Sequence, residues 1–125
     1  MNNIKEYKGT EYLVYWFDEV GHYNGYVRIL DNHPYNKKVD KKEKVFGEEV
    51  STGYDDIPID CHGGLTFSVR ITKRNKYPQG FTEGAWIGWD YAHSGDKTKY
   101  FEGKEWTAEE VEEECKNVIN QLKKL

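Results

Sequence analysis

Two short stretches of the chain hold most of the side chains that could bind a metal ion, move a proton or grip a polar ligand. Asp60, His62, Gly63 and Gly64 lie in Ile57-Pro58-Ile59-Asp60-Cys61-His62-Gly63-Gly64-Leu65-Thr66-Phe67. Asp90, His93 and Asp96 lie in Gly84-Ala85-Trp86-Ile87-Gly88-Trp89-Asp90-Tyr91-Ala92-His93-Ser94-Gly95-Asp96. Each stretch passes from apolar residues to an Asp, then to a His within three residues, then to glycine. If they are neighbouring strands, their polar ends meet and place two His and two or three Asp around one cleft. Carboxylate and imidazole donors at strand ends suit manganese, iron or zinc, and His62, His93 and Asp90 are the smallest set that leaves positions open for substrate.

The spacing matches no His-Glu-x-x-His helix and no paired Cys-x-x-Cys, so two other readings stand beside the metal site. In one, the residues form a polar ligand pocket. Gly63-Gly64 would bring backbone N–H groups close to a phosphate or carboxylate, and Arg28, Arg70 or Arg74 would supply a charged fork. In the other, Asp60 and Asp90 accept loop N–H groups, His62 and His93 bond the backbone, and the glycines serve turn geometry. Serine-hydrolase and common nucleotide-fold motifs are absent, since neither G-x-S-x-G, a Walker loop nor G-x-G-x-x-G occurs. Cys61 beside His62 is no nucleophile–base pair, because adjacent residues on a strand point to opposite faces.

The elements that must position these residues are mostly strands. Residues 11–17 form an apolar aromatic run closed by a turn-like Asp18-Glu19-Val20-Gly21, and Tyr23 to Leu30 resumes the pattern as the second arm of a hairpin. Asp31 to Asn36 is a loop, with Pro34 keeping His33 out of helical geometry. Residues 37–56 are the least structured by composition, a charged and solvated segment. Ile57 to Asp60 and Leu65 to Ile71 read as strands, the second alternating Leu65, Phe67, Val69 and Ile71 against Thr66, Ser68, Arg70 and Thr72. A capping box at Thr107 and Glu110, flanked by Trp106 and Val111, starts a helix of about five turns. Its apolar stripe is Val111, Cys115, Val118, Leu122 and Leu125. Strand-like segments followed by one amphipathic helix predict an α+β domain spanning residues 1–125, an antiparallel sheet of five or six strands with the long C-terminal helix packed on it. An all-β barrel is the alternative.

Composition narrows the function classes. The chain has 125 residues, a net charge of -4 and 15% aromatic residues. The acidic balance argues against direct nucleic-acid binding, which needs a basic face. Two cysteines are too few for a disulfide framework and predict reduced thiols in a cytoplasm. No apolar run reaches the roughly 20 residues of a membrane span, and Met1 to Glu6 lacks a signal peptide's apolar core. The core must lean on rings such as Trp86 and Trp16, while Tyr35, Tyr54 and Tyr77 are candidates for contact with a ligand or partner.

The segments Gly25-Tyr26-Val27, His33-Pro34, Ile59-Asp60-x-His62-Gly63-Gly64-Leu65-Thr66-Phe67 and Trp86-Ile87-Gly88-x-Asp90-x-Ala92-His93-x-Gly95-Asp96 resemble the signature of a family of small bacteriophage- and prophage-encoded proteins. The resemblance covers roughly residues 25–122, with Tyr91 standing where the family pattern has a cysteine. It implies origin more than activity, because phage accessory proteins of this size commonly disable host defences or redirect host enzymes. The expected function is a non-enzymatic counter-defence protein in the host cytoplasm. It would bind a component of bacterial immunity, either a CRISPR-type nuclease complex or a nucleotide signal, with self-association left open. The alternative is a small metal-dependent phosphoester hydrolase using the Asp/His loops; it would need a divalent metal, whereas the counter-defence reading needs no cofactor.

Overall fold

A computed structural model describes residues 3–125. Seven strands and one α-helix follow in the order β1 (Lys5–Tyr7), β2 (Thr10–Phe17), β3 (His22–Ile29), β4 (Lys42–Val45), β5 (Glu48–Ser51), β6 (Phe67–Ile71), β7 (Gly84–Asp90) and α1 (Ala108–Lys123). Five of them form one antiparallel sheet in the order β1-β2-β3-β7-β6, and β4 and β5 pair separately. The architecture is α+β, as the run of strands followed by one amphipathic helix predicts.

Register decides what each face of the sheet carries. Tyr12 pairs with Val27 and Val27 with Ile87, while Val14 pairs with Gly25 and Gly25 with Trp89. These residues share one face and meet Val111, Cys115, Val118, Ile119 and Leu122 of α1 in the larger core. Gly25 is required there, because a Cβ at this position would lie 2.5 Å from the Trp89 indole. The opposite face carries Leu13, Tyr26, Val69, Ile71 and Trp86, closed over by Phe67 and Phe81.

The helix begins at the capping box. The Glu110 N–H donates to Thr107 Oγ1 at 3.2 Å and the Thr107 N–H donates to Glu110 Oε1 at 3.0 Å, which satisfies two otherwise orphaned backbone groups. Its buried face is broader than the sequence stripe, since Ile119 joins it. Leu125 lies beyond the helix and is exposed.

Several segments differ from the sequence reading. Ile57 to Asp60 belongs to no sheet: the Ile59 N–H turns back to the Ile57 carbonyl at 2.9 Å, and the Asp60 backbone bonds the Gln121 side chain of the helix instead of a strand. Leu65 precedes its strand, and Ser68 is buried on the nominally wet side, where its hydroxyl accepts the Tyr54 N–H at 3.1 Å. Residues 37–56 are ordered: two 3-10 turns, Asn36–Asp40 and Gly53–Asp56, flank the β4–β5 hairpin. Phe46 (φ 51°) and Gly47 (φ 83°) form the hairpin's tip, with left-handed backbone at both central positions that suits a two-residue turn. Trp16 is 46% exposed instead of contributing to the core. Among the described residues no helix is long and apolar enough to cross a membrane.

Candidate functional site

The polar residues of β7 and its following loop are organised by one buried carboxylate. β7 ends at Asp90, whose Oδ1 accepts the Ala92 N–H at 3.1 Å and whose Oδ2 accepts the Thr66 hydroxyl at 3.1 Å, so this Asp shapes the turn out of the sheet. The chain then closes a tight loop in which the Asp96 N–H donates to the His93 carbonyl and the His93 N–H donates to Asp96 Oδ2, both at 2.9 Å. A short parallel bridge between Asp96 and Lys104 returns the chain toward α1 and brings Trp106 over the loop. There the Trp106 indole N–H donates to Asp96 Oδ1 at 2.8 Å.

His62 completes this arrangement from the other stretch. Its Nε2 lies 2.8 Å from Asp96 Oδ2. Asp96 is 4% exposed and holds three donors. Burial pushes its carboxyl up, but the bonds from His62, the His93 N–H and Trp106 outweigh burial and hold it below the ordinary carboxylate range. An ionised carboxylate only accepts, so the proton on this edge of His62 belongs to Nε2. The imidazole is held flat, stacked on Tyr91 at 4.6 Å and 5° and flanked by Trp106 at 4.8 Å and His93 at 5.7 Å.

His93 is held differently. Its Nε2 is buried, 3.2 Å from Asp90 Oδ1 but out of hydrogen-bond alignment, and it rests against the Cα of Gly63. A Cβ at Gly63 would fall 2.1 Å from that nitrogen, and φ is +69°, so both the close approach and the left-handed backbone require glycine.

Four of the five titratable residues singled out in the sequence, His62, Asp90, His93 and Asp96, therefore meet at the end of β7. Asp60 is fixed elsewhere: its N–H donates to Gln121 Oε1 at 2.8 Å and its carbonyl accepts from Gln121 Nε2 at 2.6 Å, pinning this segment to α1. Gly63 and Gly64 both adopt positive φ, yet the Gly64 N–H is used by the Cys61 carbonyl at 2.9 Å. Two of the three arginines offered for an anion fork are engaged away from it, Arg28 with the Glu83 carbonyl and Asp31, Arg70 with Asp40 and Asn36. The imidazoles of His62 and His93 turn their Nε2 atoms to separate carboxylates, and among the described residues no group of three or more His, Cys, Asp or Glu is arranged to hold a metal. Burial pushes the Cys61 thiol up to about 12, which keeps it protonated and unreactive at neutral pH.

Beside this cluster opens a cleft of about 720 Å³. Tyr91 and Trp106, the rings that pack His62, line it on the cluster side; Tyr91 is nearly fully buried, and the Lys104 ammonium lies 3.9 Å over the Trp106 ring. Trp16 and Tyr23 form its far wall, packed edge to face at 4.8 Å. Lys97 and Lys99 lie along one rim, with Asp18, Glu105 and Glu109 around the rest. Gly21 makes this rim possible: the Lys99 N–H donates to the Val20 carbonyl at 3.0 Å, and a Cβ on Gly21 would sit 2.8 Å from that nitrogen.

No protein-family model, curated protein or solved structure matches the chain. The site stands on its geometry.

Trp16, Tyr23, Lys97, Lys99 and Trp106 were not singled out as site residues by the sequence. Trp106 reads there as a helix staple, and it does pack against the core beside Val111. Its indole N–H carries the second role, and nothing in a local pattern announces a bond to a carboxylate ten positions earlier. The one available signal was an aromatic surplus too large for a small core.

Proposed function

We propose that this chain is a non-enzymatic, phage-borne counter-defence protein that takes up a nucleotide immune signal in the cleft between Trp106 and Trp16. The observation that carries the reading is the composition of that cleft: the half-exposed Trp16 ring for a base, two lysines for phosphate oxygens, and carboxylates for ribose hydroxyls. Its volume suits a ligand of nucleotide size. Base stacking on an aromatic side chain contributes about 1–3 kcal/mol. A lysine adds a charge-assisted contact to phosphate. The phage origin rests on the sequence resemblance. Between the two forms of host target, a concave aromatic cleft favours the nucleotide over a nuclease surface, which would be met by an extended patch.

The test is titration of the purified protein with mononucleotides and dinucleotides, followed by Trp fluorescence, together with phage growth in cells carrying nucleotide-signalling defences. Saturable quenching and restored growth are expected. Absence of quenching with every nucleotide would overturn the reading.

One observation favours a second reading, a phosphoester hydrolase: His62 is held at Nε2 by a buried carboxylate, which leaves Nδ1 to serve as a base. Metal analysis of the purified protein and turnover assays with manganese, magnesium and zinc separate the two. Stoichiometric metal with turnover would replace the binding reading.

A further inference from the structure

The cleft does not end at Trp16. A second cleft of about 850 Å³ adjoins it, and the two share Trp16, Tyr23, Ala108 and Glu109. The Trp16–Tyr23 pair is therefore a divide with a cavity on each side, and the half-exposed Trp16 ring presents apolar surface at the junction. The second lobe is walled by Val14 and Tyr15 of β2 and by Lys5, whose ammonium sits 2.9 Å from Glu112 on the helix. Each lobe thus offers ring or apolar surface and at least one lysine. The charge pattern limits what can occupy them. Asp18, Glu105 and Glu109 surround the first lobe and Glu109 and Glu112 the second, which repels a polyphosphate chain with its several charges on one end. A ligand carrying one charge on each of its phosphates, distributed between two ring systems, meets Lys97 and Lys99 in the first lobe and draws Lys5 away from Glu112 in the second, placing a single negative charge, not several, near the carboxylates of each lobe.

We infer that the ligand is a dinucleotide joined through phosphodiester linkages, one base lying in each lobe on either side of the Trp16–Tyr23 divide. This rests on the nucleotide reading and specifies its ligand class. Occupying both lobes with one molecule makes the second contact intramolecular, so a dinucleotide gains affinity over either half alone.

Binding of cyclic di-AMP and cyclic di-GMP is measured by calorimetry beside AMP, GMP and ATP, on the wild-type chain and on Lys5→Glu. Lys5 is an exposed residue of the second lobe only, so the variant retains the fold and the first lobe. A dinucleotide is expected to bind at least about 10-fold more tightly than its mononucleotide, with Lys5→Glu removing that advantage and leaving mononucleotide affinity unchanged. Equal affinity for mononucleotide and dinucleotide, or a dinucleotide advantage that survives Lys5→Glu, would overturn the two-lobe inference while leaving the nucleotide reading intact. Tightest binding of ATP would do the same. Failure of every nucleotide to bind would overturn both.

Discussion

Nε2 of His62 lies 2.8 Å from Oδ2 of Asp96, joining side chains 34 positions apart through a carboxylate that Trp106 and the His93 N–H also hold. Because these bonds set the Asp96 carboxyl below its ordinary value, its contribution to stability is present above about pH 4, the unfolded value. It is lost as pH falls through the lower folded value. Asp96→Asn should therefore lower stability at neutral pH by about 1–3 kcal/mol. The gap from wild type should close as the pH drops below about 4. Thermal unfolding of both proteins across the acid range checks this; a gap constant from pH 7 to pH 3 would show that the charge on Asp96 is irrelevant.

Trp106→Phe keeps the ring against His62 and removes the donor to Asp96 Oδ1. A buried carboxylate oxygen left without its partner should cost about 1–3 kcal/mol. Urea denaturation should show a lower midpoint with an unchanged slope. A midpoint equal to that of wild type would mean that water replaces the indole at no cost.

Gly63→Ala places a Cβ against His93 Nε2 on left-handed backbone. The backbone part alone costs about 1–2 kcal/mol. In a His93→Ala background the steric part disappears, so the penalty of Gly63→Ala should be smaller there, measured as a coupling in a double-mutant cycle. Equal penalties in both backgrounds would show that the imidazole yields freely.

Trp16→Ala removes a half-exposed ring whose neighbour is Tyr23 at 4.8 Å. Stability should change by only about 1 kcal/mol, while nucleotide binding should be lost. Retained binding would move the ligand away from the Trp16 wall.

The thiols of Cys61 and Cys115 are both pushed up by burial, Cys61 to about 12, so at pH 8 neither carries an appreciable thiolate fraction. The folded protein should react with a thiol-specific disulfide reagent far more slowly than the urea-unfolded chain. Full labelling of the folded protein within the mixing time would contradict the burial of Cys115 and the partial burial of Cys61.

The α+β class, the β2–β3 hairpin, the interior strand β7 and helix α1 were all legible in the sequence. Their signals are local: alternation over a strand's length, and a Thr107–Glu110 capping box ahead of an apolar stripe. The β4–β5 hairpin was not, because its strands are charged and wholly outside the core, so hydrophobic period says nothing about them. Trp16 misled for a related reason. Its residue type favours burial, but it stands near the end of β2 beside the first residues of α1, where two clefts lined by Ala108 and Glu109 leave its ring half exposed.

By itself the sequence determined which side chains could do chemistry, and it placed His62, Asp90, His93 and Asp96 at the ends of apolar runs. Only tertiary structure decided that Asp96 is buried and bonds His62 and Trp106, that Asp60 is drawn off to Gln121, and that a two-lobed cleft lies beside the cluster. Those outcomes depend on strand register and on where the loop after β7 meets the start of α1. Both are contacts between residues distant in sequence, set by how the faces of the sheet bury against the helix and not by any local pattern.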